Sequence, residues 1–210
     1  MDRILEKVIQ VTNGVPHTTK DNGILLHKII TDKKYRSCLE LGFAHGVGSA
    51  YIAGALASNR QGMLTCVDNL SAKERKPNIE DLLGLCDLQK FVNPIYAPSG
   101  YNWYLKQVLE SSDIEFDFCF IDGSHTWDVD GFAFFIVASL LTKGGLIIFD
   151  DLDWSYATSP SLSKTEAVLN MSEERRTTFQ IRKVFELLVK RDKRFKCWEE
   201  NGWGYALKVE

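Results

Sequence analysis

The sequence of 210 residues has few cysteines, and no two of them form a Cys-x-x-Cys pair. Four of the five, all but Cys86, lie inside apolar runs that are typical of strands. We therefore expect reduced, mostly buried thiols that act as small hydrophobic side chains. Cysteine usage of this kind favours a cytoplasmic protein.

Long apolar runs and an excess of basic residues are also missing. The longest apolar run, residues 132–141, is about half as long as a membrane span. The first ten residues are charged and amphipathic, without the apolar core of a signal sequence. The formal net charge of −3 gives no sign of the basic footprint that nucleic-acid binding usually leaves. We expect neither a membrane span nor a nucleic-acid partner.

Short apolar runs alternate with helical patterns along most of the chain, which predicts an α/β fold. Because the runs are nearly all apolar, they indicate a parallel sheet that helices cover on both faces. Two final runs flank residues 201–204, which are typical of a β-hairpin turn and add an antiparallel strand. We predict a Rossmann-like, doubly wound, mostly parallel sheet of seven strands. The predicted strands are 37–41, 63–68, 91–96, 116–122, 146–149, 195–199 and 205–209, and the predicted helices of the sheet region are 47–58, 78–86, 101–109, 129–141 and 177–190.

The pattern indicates one domain over residues 1–210. Residues 1–34 precede the first strand and predict a helical cap of two helices joined by 12–20. Residues 152–176 are rich in serine, threonine and charge, and predict a long irregular segment. Because so long a loop in a compact domain is usually functional or partly disordered, we interpret it as a substrate loop.

Acidic side chains end four of the first five predicted strands. Glu40, Asp68 and Asp122 close three of them, and Asp150 and Asp151 follow the fifth. Ligands of an open parallel sheet bind beyond the carboxyl ends of its strands. A buried edge with so many carboxylates needs ligand hydroxyls, cations or both to satisfy it.

A glycine loop with the spacing Glu-x-Gly-x-x-x-Gly follows the first strand, at Glu40, Gly42 and Gly46. Glycine allows a tight turn and a close approach to a ligand, and the next helix points its amide donors there. A dinucleotide site would have a second glycine where Ala44 stands. Asp68 ends the next strand, where an acid accepts hydrogen bonds from two ribose hydroxyls. Together these residues predict a nucleoside-containing ligand.

The acids after the fourth and fifth strands predict a second site. Adjacent parallel strands end side by side, so we expect Asp122, Asp150 and Asp151 to converge. Three carboxylates suit Mg²⁺ or a similar divalent cation. His125 lies three residues after Asp122 and is placed to accept a proton from a substrate hydroxyl. The alternative interpretation is that these are turn and cap residues.

The motifs Phe-Ile-Asp-Gly-Ser-His at 120–125 and Gly-Gly-Leu-Ile-Ile-Phe-Asp-Asp at 144–151 resemble a known family. They are similar to the metal-dependent small-molecule O-methyltransferases related to the macrolide-sugar enzymes, and more distantly to catechol O-methyltransferase. The glycine-loop spacing resembles the first motif of class I methyltransferases. The resemblance spans about residues 36–210 and implies S-adenosylmethionine (SAM), Mg²⁺ or a similar cation, and a small-molecule hydroxyl as acceptor. It is also compatible with a homodimer.

The resemblance implies roles for individual residues. It makes Asp122, Asp150 and Asp151 the metal ligands, with His125 as the base and Asp122 beside it as the second catalytic residue. Relatives carry Gly-Asp or Gly-Ser after the third strand, near the adenine, where this chain has Ser99 in Ala-Pro-Ser-Gly. The implied cofactor-binding residues are Glu40, Gly42, Phe43, Gly46, Asp68, Asn69, Ser99 and Asp122.

Several neighbouring residues have two interpretations. Trp127, Trp154 and Tyr156 either form walls of the acceptor pocket or are core and surface aromatics. His45 either touches the cofactor carboxylate or faces solvent. Residues 17–19 either close over the cofactor or form a plain loop.

Three other functions remain open from the sequence. A nicotinamide-dependent oxidoreductase has the same architecture, although Ala44 counts against it. A metal-independent N- or C-methyltransferase is the second, although no motif of the Asn-Pro-Pro-Tyr kind is present. A non-enzymatic cofactor-binding or scaffold protein is the third.

Overall fold

A computed structural model describes residues 2–111 and 114–210. It contains a seven-stranded sheet in the order β3-β2-β1-β4-β5-β7-β6. Strands β1 to β5 are parallel, and β7 pairs antiparallel with both β5 and β6. The predicted doubly wound, mostly parallel sheet is confirmed. The strands are β1 Ser37–Leu41, β2 Met63–Asp68, β3 Val92–Tyr96, β4 Phe116–Ile121, β5 Leu141–Phe149, β6 Phe195–Glu200 and β7 Trp203–Lys208.

Helices precede the sheet and connect its strands. The two predicted N-terminal helices are present, and side-chain oxygens of Asp2 and Thr19 accept hydrogen bonds from their first-turn amides. The last helix, α9, continues directly into a π-helical turn, Phe185–Val189. The helices are α1 Arg3–Thr12, α2 Lys20–Lys33, α3 Val47–Asn59, α4 Ile79–Cys86, α5 Tyr101–Ser111, α6 Trp127–Leu140, α7 Glu166–Leu169, α8 Glu173–Thr177 and α9 Gln180–Val184, with 3₁₀ turns at Leu70–Glu74 and Gln89–Phe91.

Several details differ from the prediction. Strand β5 begins at Leu141 rather than 146, and its pairing with β4 shifts register near Phe116. The hairpin turn is only Asn201-Gly202, because both residues have positive φ, as a two-residue turn requires. Residues 152–176 are not wholly irregular, since they contain α7 and α8.

The sheet divides the core into two layers, because side chains along each strand alternate between its faces. Cys38 packs on one side with α2 and α3, whereas Leu39 packs on the other with α5 and α6. All five cysteines are free thiols, and Cys197 alone among them is only partly buried. Over the ranges that the structure describes, none of the helices has the length and apolar character needed to cross a membrane.

Backbone hydrogen bonds continue the ladder beyond the strand ends. The amide of Gly42 donates to Val67, that of Asp122 to Leu41 at 2.9 Å, and that of Asp150 to Ile121 at 3.0 Å. These bonds place the first residues after β1, β4 and β5 side by side at the carboxyl edge of the sheet. The strand ends that carry the acids therefore form one continuous edge of the sheet.

Candidate active site

The glycine loop between β1 and α3 has the geometry that only glycine accommodates easily. Gly42 and Gly46 have φ of 88° and 89°. A Cβ on Gly42 would overlap the carbonyl oxygen of Asp122, and one on Gly46 would lie 2.6 Å from the side chain of Ile79. The close approach of Gly42 is thus to the end of β4, which joins the glycine loop to the second group of acids.

Asp68 holds the glycine loop in place. One carboxylate oxygen accepts hydrogen bonds from the amides of Phe43 at 3.0 Å and Ala44 at 2.8 Å. The other accepts from the amide of Asn69 at 2.7 Å and from its side chain at 3.0 Å. Since a carboxylate has about four acceptor positions, Asp68 keeps limited capacity for ribose hydroxyls. The structure brings Asp68 and Asn69 to the loop, as expected.

Glu40 is a carboxyl group buried at the start of this loop, with only 1% of the residue exposed. Burial raises its pKa to about 8, the charge of Asp68 adds to the effect, and a hydrogen bond from Ser49 opposes it. A Cβ on Gly48 would lie 2.5 Å from Oε1 of Glu40, so the glycine leaves room beside the carboxyl group. The sequence interpretation assigned no role to Gly48 or Ser49, although both lie within three residues of Gly46.

On the predicted adenine side of the site, Phe43 is packed against its neighbours, whereas Ser99 is exposed. Phe43 is 3% exposed, and its ring meets that of Tyr96 edge to face at 5.4 Å. The hydroxyl of Tyr96 donates to Glu80 on α4. Ser99 lies exposed in the turn between β3 and α5. Its assignment as an adenine neighbour stays a prediction.

Asp122, His125 and Asp151 form the second group of site residues. One potential ligand atom from each of them lies within 4.8 Å of the others. Nε2 of His125 is 3.1 Å from Oδ2 of Asp151 and 3.9 Å from Oδ1 of Asp122. Burial, followed by repulsion from Asp150 and Asp151, raises the pKa of Asp122 well above its ordinary value. Carboxylates crowded in this way favour a cation or a proton between them.

Asp150 lies next to this group, and two hydrogen bonds hold its carboxylate. Its Oδ1 accepts hydrogen bonds from the indole N–H of Trp203 at 2.6 Å and from the amide of Asp151 at 2.7 Å. Burial and then the charge of Asp151 raise its pKa to about 6. Of the three predicted metal ligands, the structure places Asp122 and Asp151 in the close group with His125. Trp203, expected in the hairpin turn, begins β7 and is 1% exposed.

His125 and Asp151 both have left-handed backbone conformations, with φ of 56° and 55°. Such conformations are uncommon for residues other than glycine and cluster at functional sites. Burial lowers the pKa of His125, but the hydrogen bond and charge of Asp151 and the charges of Asp130 and Asp150 outweigh it, so the pKa is raised. The histidine is therefore paired with acids in the folded chain.

A buried network supports the segment that carries His125. Asp130 is fully buried and accepts hydrogen bonds from the hydroxyl of Tyr101 and from the amide of Thr126 at 2.9 Å. The same hydroxyl accepts from the amide of Ser124 at 3.2 Å. These contacts fix the residues on both sides of His125. The sequence interpretation missed Tyr101 and Asp130, because Asp130 has the pattern of an ordinary acid in a first helical turn.

The aromatic candidates separate into two groups. Trp154 meets His125 at 4.9 Å, and Tyr156 meets Trp154 at 5.0 Å, so the two rings form a row that begins at His125. Trp127 is 40% exposed and lines a different groove, of about 640 Å³, together with Arg175. Trp127 is thus the one of the three whose ring does not pack in this aromatic row.

His45 is buried rather than solvent-facing. It is 9% exposed, and its Nδ1 lies 2.6 Å from the carbonyl oxygen of Pro77. The ring of His17 stacks on it at 5.5 Å. The hydroxyl of Thr18 lies 3.5 Å from the position of a Cβ on Gly48. Residues 17–18 therefore lie against the glycine loop, and their closing over the cofactor stays a prediction.

Comparisons with known proteins agree with this geometry. The family described as "Methyltransferase domain" matches residues 39–152. No curated protein sequence is significantly similar to this chain.

Solved methyltransferases share the fold over nearly the whole chain. The O-methyltransferase TomG from Streptomyces achromogenes, involved in tomaymycin synthesis and solved with SAM, is 18% identical over 100% of this chain and 91% of that chain, with a TM-score of 0.70. An O-methyltransferase from Bacillus cereus, solved with S-adenosylhomocysteine (SAH), is 21% identical over 99% and 92%, with a TM-score of 0.68. MycE, from the mycinamycin biosynthetic pathway, was solved with Mg, SAH and mycinamycin VI. It is 13% identical over 97% of this chain and 55% of that chain, with a TM-score of 0.60.

Proposed function

Because the chain belongs to the methyltransferase-domain family, we propose that it transfers the methyl group of SAM to a hydroxyl of a small molecule, assisted by a divalent cation. The observation that carries the proposal is the group formed by Asp122, His125 and Asp151, within 4.8 Å, directly beside the glycine loop. Gly42 packs on the backbone of Asp122, so a cofactor in the loop reaches the histidine and the acids.

In the proposed arrangement, SAM occupies the glycine loop. The ammonium group of its amino-acid part pairs with Glu40, whose buried carboxyl group has no cationic partner within salt-bridge distance over residues 2–111 and 114–210. The ribose lies against Asp68 and Asn69 at the end of β2, and the adenine lies on the side of Phe43. The TomG and Bacillus cereus enzymes hold SAM and SAH, which supports this cofactor for the same fold.

The residues of the second group fit a hard divalent cation. Asp122 and Asp151 of this group, with the adjacent Asp150, supply carboxylate oxygens, the donors that Mg²⁺ prefers. Burial and mutual repulsion raise the pKa of Asp122 and Asp150, and a cation relieves that repulsion. When bound, the cation would hold the acceptor oxygens and raise the acidity of the reacting hydroxyl. The presence of Mg in the MycE structure supports this proposal.

His125 is the proposed base. Its Nε2 faces the carboxylates of Asp151 and Asp122, where an acceptor hydroxyl held by these acids would lie. It takes the proton of that hydroxyl as the oxygen attacks the methyl carbon. The new O–C bond forms while the C–S bond breaks, and its electron pair stays on sulfur to give SAH. Alignment of oxygen, carbon and sulfur supplies much of the rate in such a displacement.

Residues 152–176 are the proposed acceptor-binding segment. Trp154 and Tyr156 belong to this segment and continue from His125 as a row of aromatic rings. Flat rings of this kind form walls around a small molecule and leave its polar groups to the acids. The substrate proposed is therefore a small molecule with neighbouring hydroxyl groups.

The test measures SAM binding and turnover separately. Calorimetry with SAM and with NAD examines the cofactor, and conversion of SAM to SAH with catechols and sugars examines the acceptor. We expect binding of SAM and not of NAD, and turnover that EDTA abolishes and Mg²⁺ restores. Turnover that is unchanged in EDTA would contradict the metal assignment and favour a metal-independent N- or C-methyltransferase. Binding of NAD in place of SAM would contradict the cofactor.

A further inference from the structure

A cluster of basic side chains lies over the glycine loop and has no role in the reaction described above. It consists of His17, His45 and Arg75. His17 belongs to the segment between α1 and α2, residues 13–19, which we name the strap. Arg75 follows the 3₁₀ turn Leu70–Glu74, beyond β2. Three separate parts of the chain therefore bring basic groups to one place.

Arg75 is a cation without an acidic partner. Its Nη1 donates to Nε2 of His17 at 3.1 Å. No carboxylate lies within 4.0 Å of it among the residues with described positions, and the side chain is half-buried. Burial and then the charge of Arg75 lower the pKa of His17, so this histidine is neutral and accepts the hydrogen bond. An arginine directed at a neutral acceptor retains most of its capacity to bind an anion.

The strap places this cluster opposite Glu40. His17 stacks on His45 of the glycine loop, and Thr18, the next residue, lies beside Gly48 and therefore beside the Glu40 carboxyl group. His17 has φ of 88°, a conformation that non-glycine residues keep only where their surroundings hold them. The strap thus contacts the basic cluster through His17 and reaches the surroundings of the Glu40 carboxyl group through Thr18.

The amino-acid part of SAM carries an ammonium and a carboxylate on the same carbon atom. Glu40 suits the ammonium, and the basic cluster suits the carboxylate. We propose that Arg75, positioned by His17, binds the carboxylate of SAM and makes the site selective for cofactors that have it. This inference rests on the proposed placement of SAM in the glycine loop. A guanidinium group binds a carboxylate through two parallel hydrogen bonds, and such charge-assisted pairs are the strong ones.

The test compares SAM with decarboxylated SAM, which keeps the sulfonium, the adenosine and the ammonium. Calorimetry gives both dissociation constants for the wild type and for Arg75→Gln. We expect the wild type to bind SAM about tenfold more tightly or better, the size of a hydrogen bond to a charged group. In Arg75→Gln the affinity for SAM falls until the ratio approaches one, and the affinity for decarboxylated SAM is unchanged. Arg75→Lys, which keeps the charge but not the fork, gives an intermediate ratio.

Lys76→Gln is the matched control, because it removes the adjacent cation, whose side chain is 75% exposed and 3.7 Å from Asp81. Its ratio equals that of the wild type. A wild-type ratio of one overturns the inference, as does an equal loss of both ligands in Arg75→Gln, which would make Arg75 structural. Failure of the wild type to bind either ligand would instead overturn the proposed cofactor site.

Discussion

The two halves of the site differ in how far the folded chain satisfies them by itself. In the cofactor half, Asp68 accepts four hydrogen bonds from the loop and from Asn69. In the acceptor half, Asp122 and Asp150 are half-buried, and their pKa values are raised. The acid of the cofactor half is satisfied by hydrogen bonds within the protein, whereas the acids of the acceptor half repel one another.

This difference assigns different tasks to the two halves. A loop fixed by its own bonds is ready to bind a cofactor without reorganisation. Crowded carboxylates are unfavourable until a cation or a proton arrives, and the Tyr101–Asp130 network keeps the adjoining segment from relaxing. We expect variants in the cofactor half to change binding and variants in the acceptor half to change turnover.

The largest effect is expected for Asp151→Asn in the acceptor half. Asparagine tolerates the left-handed backbone found at this position, so the fold is kept. Loss of a carboxylate from the proposed cation site lowers kcat about 10³-fold, while SAM binding stays within about threefold. Asp87→Asn is the control, since this acid also has a left-handed backbone, is 84% exposed and pairs with Lys7. Loss of SAM binding in Asp151→Asn would contradict the expectation that variants in the acceptor half change turnover and not cofactor binding.

His125→Asn tests the same half with a smaller expected effect. Asparagine again suits the backbone, which has φ of 56°. Removal of the proposed base lowers kcat about 10²-fold, within the usual range for general-base catalysis. Steady-state and single-turnover rates measure it, with calorimetry for SAM. Turnover equal to that of the wild type would show that the histidine only holds Asp151.

Glu40→Gln tests the cofactor half, where we expect weaker SAM binding but a more stable ligand-free protein at high pH. The carboxylate that would pair with the ammonium of SAM is lost, so the affinity for SAM falls about tenfold. The folded pKa of Glu40 is about 8, above the ordinary value of 4.5. The stability it contributes is present below pH 4.5 and is lost as the pH rises through 8.

Without SAM, the Glu40→Gln protein does not lose this stability as the pH rises. Its Tm should therefore exceed that of the wild type by an amount that grows from pH 5 to pH 9. Thermal melts across this range measure the gap. Glu74→Gln is the control, because it makes the same substitution at an exposed position. A gap that shrinks as the pH rises would contradict the raised pKa.

The sequence predicts the strands and the acids at their ends because both depend on local patterns. Alternating apolar runs define the parallel strands, and acids at their ends must meet at one edge. The sequence does not predict which polar groups hold those acids. Tyr101 and Asp130 are 29 positions apart, and Asp150 and Trp203 are 53 apart. Nothing in the local pattern of either residue identifies its partner, since only the packing of α5 on α6 and of β7 on β5 brings them together.

The smallest effect is expected for Trp203→Phe, which removes a contact that the sequence did not predict. Phenylalanine keeps a large ring in the buried position but removes the N–H that donates to Asp150 at 2.6 Å. Asp150 then loses one of the bonds that orient its carboxylate, so kcat falls about threefold to tenfold, in line with the loss of one buried hydrogen bond.

Trp198→Phe is the matched control, because Trp198 is 37% exposed and stacks on Tyr205 in the same hairpin. Restoration of turnover in Trp203→Phe by higher Mg²⁺ would show that the indole acts through the cation site, since a loosened ligand weakens metal affinity. A fall in SAM affinity with unchanged kcat would instead place Trp203 in the cofactor half.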